Sequence, residues 1–187
     1  ALVVDNADAF RRLLNAGADN YARETVLRCA DNAPEQVRLA YRAAALAGHE
    51  QWRVHLQHCG SGANPALTGE AFVRHFFQCL AAGVEQRGFE PRMVYDETFR
   101  DTFAYVSGLA HRLGATRYAG APVAPESATA LLFRDAADWL AVLWAGDPPV
   151  ELGLPVSEAT QLTLTDALNN PLPLPEVRDG MLTIETG

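Results

Sequence analysis

The sequence predicts an α/β protein: a run of strand–helix units over its first part, then a small antiparallel β-sandwich. Two observations carry this. Residues 1–113 alternate helix-like and strand-like segments, as a parallel sheet or barrel of repeated crossover units requires. From about Gly114 the text changes to short strands broken by Pro, Gly and Asp-rich turns. We therefore divide the chain at 1–113 and 114–187.

In the first part, "DNADAFRRLLNAGA" carries an acidic or amide cap, then Phe10, Leu13 and Leu14 at helical spacing, then Gly17 as a stop. "ETVLRCA" reads as a short buried strand. "APEQVRLAYRAAALAG" opens with Pro34 in its first turn and closes at Gly48. The strand "QWRVHLQ" and the turn "GSGANPALTG" follow. The helix "EAFVRHFFQCLAAGV" is expected to bury Phe72, Phe76, Leu80 and Val84. "PRMVY" is a further strand, and "ETFRDTFAYVSGLAHRLG" a helix with Phe99, Phe103, Val106, Ala110 and Leu113 on one stripe. In the second part, "ATRYAGAPV", "ATALLFRD", "DWLAVLWAG", "VELGLP", "TQLTLTD" and "GMLTIET" read as strands. "QLTLT" and "MLTIET" alternate apolar and polar residues, which gives each one buried face and one wet face.

Composition narrows the function classes. The 187 residues are 49% hydrophobic and 20% charged, in the range of ordinary globular proteins. All 15 basic residues are arginine, yet the net charge is −8, which argues against nucleic acid as a partner. No apolar run reaches the ~20 residues that a membrane-spanning helix needs. Cys29, Cys59 and Cys79 do not make a disulfide framework. There is no Gly-rich phosphate loop, no nucleophile-elbow Ser and no paired CxxC motif.

The most chemistry-bearing stretch is "VHLQHCGSG", where a strand runs into a Gly-Ser-Gly turn with Gln57, His58 and Cys59 at its end. His58 and Cys59, with His75 and Cys79 one helical turn apart, are the candidate zinc ligands. His55 and His58 stand at odd spacing on a strand and point to opposite faces. We expect these side chains not to converge, so that no metal and no other cofactor is held. Asp96 and Glu97 follow a strand, where barrel enzymes place functional groups, but capping of the next helix from Asp96 or Thr98 accounts for them. Trp52, Trp139 and Trp144 are large enough to stack on sugar rings. Trp139 and Trp144 fall on opposite faces of a regular strand, and core packing is the default for such residues.

The order of these segments resembles the last part of a (β/α)-barrel glycoside hydrolase of the β-xylosidase-like kind. "AFRRLLNAGADNYARETVLRCADNAPEQV" is similar to a helix leading into a strand that ends in a His-containing loop; Arg28 stands at that loop position. "QWRVHLQHCGSG" is similar to the strand that ends in the nucleophilic Glu. "MVYDETFRDTFAYVSGLAHRLGATRYAG" resembles the final barrel helix, although Arg100-Asp101 replaces the usual Lys-Pro pair. "ALLFRDAADWLAVLWAG" and "LTLTDALNNPLPL" resemble the appended sandwich.

The resemblance implies a partial (β/α) barrel, a half-barrel, followed by a β-sandwich. It also implies degeneracy. A retaining glycosidase uses two carboxyls about 5 Å apart, whereas this chain has Gln57 at the nucleophile position, and the acid/base strand would precede Ala1. An amide has nearly the shape of a carboxylate but cannot attack an anomeric carbon. Four strand–helix units cannot close a barrel, so a protein partner or a missing N-terminal half is expected to cover the open side. Its uncovered first edge is expected around "TVLRCA". The expected role is that of a non-catalytic accessory subunit, interaction module or carbohydrate-binding remnant. Arg28, His58, Asp96 and Glu97 are its candidate ligand or partner contacts. The alternatives are the C-terminal portion of an active retaining glycosidase and, behind it, a zinc-dependent hydrolase. The resemblance favours an extracytoplasmic location.

Overall fold

A computed structural model describes residues 1–29, 32–58, 69–89, 116–146, 149–157 and 161–186, together with Tyr105, Ser107, Gly108 and Leu113. The chain divides into two compact units, Ala1–Phe103 and Ala104–Gly187. This places the boundary earlier than the change of pattern at Gly114.

The first unit is α/β. Its strands β1 (Leu2–Val4), β2 (Glu24–Cys29), β3 (Arg53–His58) and β4 (Gln86–Phe89) form one sheet in the order β1-β2-β3-β4, with every neighbouring pair parallel. The helices α1 (Ala7–Asn15), α2 (Ala33–Leu46) and α3 (Gly69–Ala81) connect consecutive strands. One face of the sheet supplies Val4, Leu27, Val54 and Leu56 to a core shared with Phe10 and Leu14 of α1, Val37, Ala40 and Ala44 of α2, and Cys79 of α3. Trp52 closes this core, 3% exposed, with its ring 5.2 Å from Phe10.

Local chemistry sets the helix ends. Asn6 caps α1 by accepting a hydrogen bond from the Ala9 amide at 2.8 Å. Pro34 lies in the first turn of α2. That helix ends where Gly48 turns left-handed (φ +81°) and the His49 amide bonds back to the Ala44 carbonyl. After α3, Gly83 (φ +100°) does the same, and the Tyr41 hydroxyl donates to its carbonyl at 2.6 Å. A side chain at Gly83 would place its Cβ 3.1 Å from the Tyr41 ring.

Two expectations change here, and one strand is added. The first edge of the sheet is β1, not "TVLRCA", which is flanked on both sides. The strand after α3 is Gln86–Phe89; "PRMVY" lies outside the described residues. In α3 the buried set extends beyond one stripe to Val73, Phe77 and Cys79, while Leu80 is only half-buried. Of the stripe expected on the next helix, Leu113 is described and is buried; the rest lies outside the described residues.

The second unit is antiparallel. β5 (Arg117–Gly120), β6 (Ala128–Arg134) and β7 (Trp139–Ala145) form one meander. β8 (Val150–Pro155), β11 (Val177–Arg178) and β12 (Met181–Thr186) form a second sheet, in the order β11-β12-β8. β9 (Leu164–Thr165) and β10 (Pro171–Leu172) make a short hairpin. Leu154, Leu182 and Ile184 form an apolar cluster against which Leu143 of β7 packs. The hairpin loop is held by Asp166, whose carboxylate accepts from the amides of Leu168 and Asn170 and from the Asn170 side chain, at 2.8–2.9 Å.

Candidate functional site

Alternation along β2 and β3 sorts their side chains onto two faces. Thr25, Leu27, Val54 and Leu56 are buried, and Leu27, Val54 and Leu56 join the core shared with the helices. The opposite face carries three cross-strand pairs: Glu24 with Arg53, Val26 with His55, and Arg28 with Gln57. On β1 this face is continued by Val3, which pairs with Val26 and is 61% exposed.

Gln57 is the penultimate residue of β3 and half-buried, at the carboxyl end of the strand and on the face away from the helix-packed core. Arg28 stands beside it on β2 and reaches the Asp5 carboxylate at 3.9 Å. Two of the sequence-derived candidates, Arg28 and Gln57, are thus brought together at the end of a parallel sheet where ligands generally bind.

The other candidates are not gathered there. His58 is the last residue of β3, one position on from Gln57, and its side chain lies outside the described residues, as do Cys59, Asp96 and Glu97 entirely. His75 and Cys79 lie in α3; both are buried, and Cys79 packs in the core among apolar side chains. Among the described residues, no three His, Cys, Asp or Glu side chains converge as a metal site would require.

One cluster was not anticipated. At the amino end of the same face, Glu24 Oε2 lies 3.2 Å from His55 Nε2 and 3.1 Å from the Arg53 guanidinium. The His55 hydrogen bond, followed by the charge of Arg53, holds the Glu24 carboxyl below the usual glutamate range. A carboxylate–imidazole pair can do acid–base chemistry, but this one sits at the end of the strands opposite to Gln57. In parallel β/α architectures that end serves stability. We read the cluster as an electrostatic clasp between β2 and β3.

The tryptophans separate as their spacing predicts. Trp52 is core, Trp144 is half-buried, and Trp139 is 61% exposed. No protein-family model, curated protein or solved structure matches the chain.

Proposed function

We propose that this chain is a non-catalytic protein of glycosidase descent that works through contact with a partner. In this reading the first unit is part of a (β/α) barrel and the second is its appended β-sandwich. The observation that carries it is the placement of Gln57: an amide at the carboxyl end of β3, on the face opposite the helix-packed core. In a barrel that face is the interior, and a retaining glycosidase presents its nucleophilic carboxylate there. The amide has no charge to stabilise an oxocarbenium ion and cannot form a glycosyl ester. The sequential, all-parallel strand order supports the same reading, because neighbouring strands of a barrel follow one another in the chain.

Further strands are needed beside β1 and β4, which are the sheet edges among the described residues. They would come from a longer chain or from a second protein. The test pairs an assay with an isolation. A panel of aryl glycosides should show no release above background, and native purification should return the protein in a complex. Sugar release that disappears in Gln57→Ala would overturn the proposal.

A further inference from the structure

At one end of the β5–β6–β7 meander three side chains stand in a single cross-strand row. Arg117 of β5 is opposite Arg134 of β6, and Arg134 is opposite Trp139 of β7. Residues directly opposite in antiparallel strands project from the same sheet face, so the three form one surface. They line an open cavity of about 540 Å³ together with Tyr118, Asp135 and Ala136. The Arg134 guanidinium carbon lies 5.4 Å from the centre of the Trp139 ring.

The Arg134–Trp139 contact accounts for two members of this row but not for the second arginine. Like charges directly opposite across antiparallel strands destabilise the pairing. Among the described residues neither arginine has an ion-pair partner. The carboxylate that shares the cavity, Asp135, is held in its charged form by the turn, so two guanidiniums and one carboxylate leave the lining with a single net positive charge. Asp135 Oδ1 accepts from the amides of Ala137 and Asp138, both at 2.8 Å, closing the β6–β7 turn. Beside these two arginines Trp139 is 61% exposed, in a chain whose net charge is −8.

We propose that this cavity binds an acidic sugar, a pyranose ring bearing a carboxylate, of the hexuronic acid class. Each guanidinium offers parallel N–H donors that match the planar fork of a carboxylate. The exposed indole offers a flat apolar plate for the C–H face of a sugar ring. A shallow, open cavity suits one unit of a chain whose neighbours continue into solvent, in contrast to the enclosed pockets that bury small ligands. Phosphate recognition by backbone amides is not available at the Asp135 turn, because those amides already serve Asp135. No residue of the β1–β4 sheet enters the site. The proposal therefore stands or falls separately from the reading of Gln57.

The experiment titrates the full chain with trigalacturonate and triglucuronate, following Trp fluorescence and calorimetry. Their neutral counterparts and inorganic phosphate serve as comparison probes. Saturable binding of at least one uronate is expected, about tenfold or more tighter than the neutral sugars, since charge-assisted bidentate pairs are worth that much. Arg134→Gln and Trp139→Ala should each weaken it by about tenfold. Arg117→Lys should retain part of it, because charge remains while the planar fork is lost. All three positions are exposed, so the far-UV circular dichroism spectrum should not change. Failure of both uronates to saturate would overturn the proposal. So would binding that Trp139→Ala leaves intact, or binding that phosphate matches, since either would be simple anion attraction.

Discussion

Glu24, Arg53 and His55 form their contacts across a register that joins residues 29 positions apart in the chain, with the diagonal Glu24–His55 contact spanning 31. No local spacing announces such a pair. A lowered Glu24 pKa in the folded state has a definite sign: its contribution is fully present above the ordinary glutamate value and is lost as pH falls through the lowered one. Acid titration of stability should therefore show a loss in that window, and Glu24→Gln should flatten it, as read by chemical denaturation at successive pH values. A second residue tests polar burial. Thr25 is fully buried in the sheet, and its hydroxyl has no hydrogen-bond partner among the described residues. Thr25→Val keeps the β-branched shape and removes the unmet hydroxyl, so it should stabilise the protein by about 1 kcal/mol. An unchanged or lower denaturation midpoint would count against this. Gln57, by contrast, was legible: an apolar alternation ending at a Gly-Ser-Gly turn marks a strand terminus without any knowledge of register.

Elements were legible where several local signals agreed. Each of α1, α2 and α3 is followed by a left-handed glycine, Gly17, Gly48 and Gly83, and each begins or ends close to where caps and breakers place it. β1 and β4 were not read from the sequence, for physical reasons. β1 is three residues long, too short for alternation to register, and β4 is the polar "QRGF". Both become strands because β2 and β3 present unpaired backbone groups beside them, a tertiary cause that overrides propensity. The six strands expected in the second unit are all found, since each combines a turn signal with β-branched or aromatic residues. The helix ends give two measurable expectations. Asn6→Ala removes a side-chain acceptor for the Ala9 amide and should cost about 1 kcal/mol. Gly83→Ala imposes a left-handed conformation on an L-residue and sets its Cβ against the Tyr41 ring, so its cost should be larger, about 1–2 kcal/mol or more. Urea midpoints of the two variants, compared at equal slope, decide the order.

At the scale of the whole molecule, the change from parallel to antiparallel pairing was visible as a change of grammar, because the two sheet types bury different numbers of faces. The edges of the first sheet were not visible in the sequence, since β1 is too short and β4 too polar to read as strands. This bears on how stability is distributed. β2 and β3 are hydrogen-bonded on both sides, and Leu27, Val54 and Leu56 are almost wholly buried. β1 pairs on one side only among the described residues, is three residues long, and leaves Val3 largely exposed. Local opening of an edge with few buried contacts costs much less than opening a central strand. In native-state hydrogen exchange of the isolated chain, β1 amides should exchange far faster than those of β2 and β3. If further strands pair with that edge in the native assembly, each newly bonded β1 amide can exchange only when the added strand also opens. The β1 protection should then rise toward that of β2 on going from isolated chain to assembly, while β2 and β3 change little. Equal slow exchange of β1 in the isolated chain would show that the edge needs no further strand, and would remove the structural half of the case for a partner.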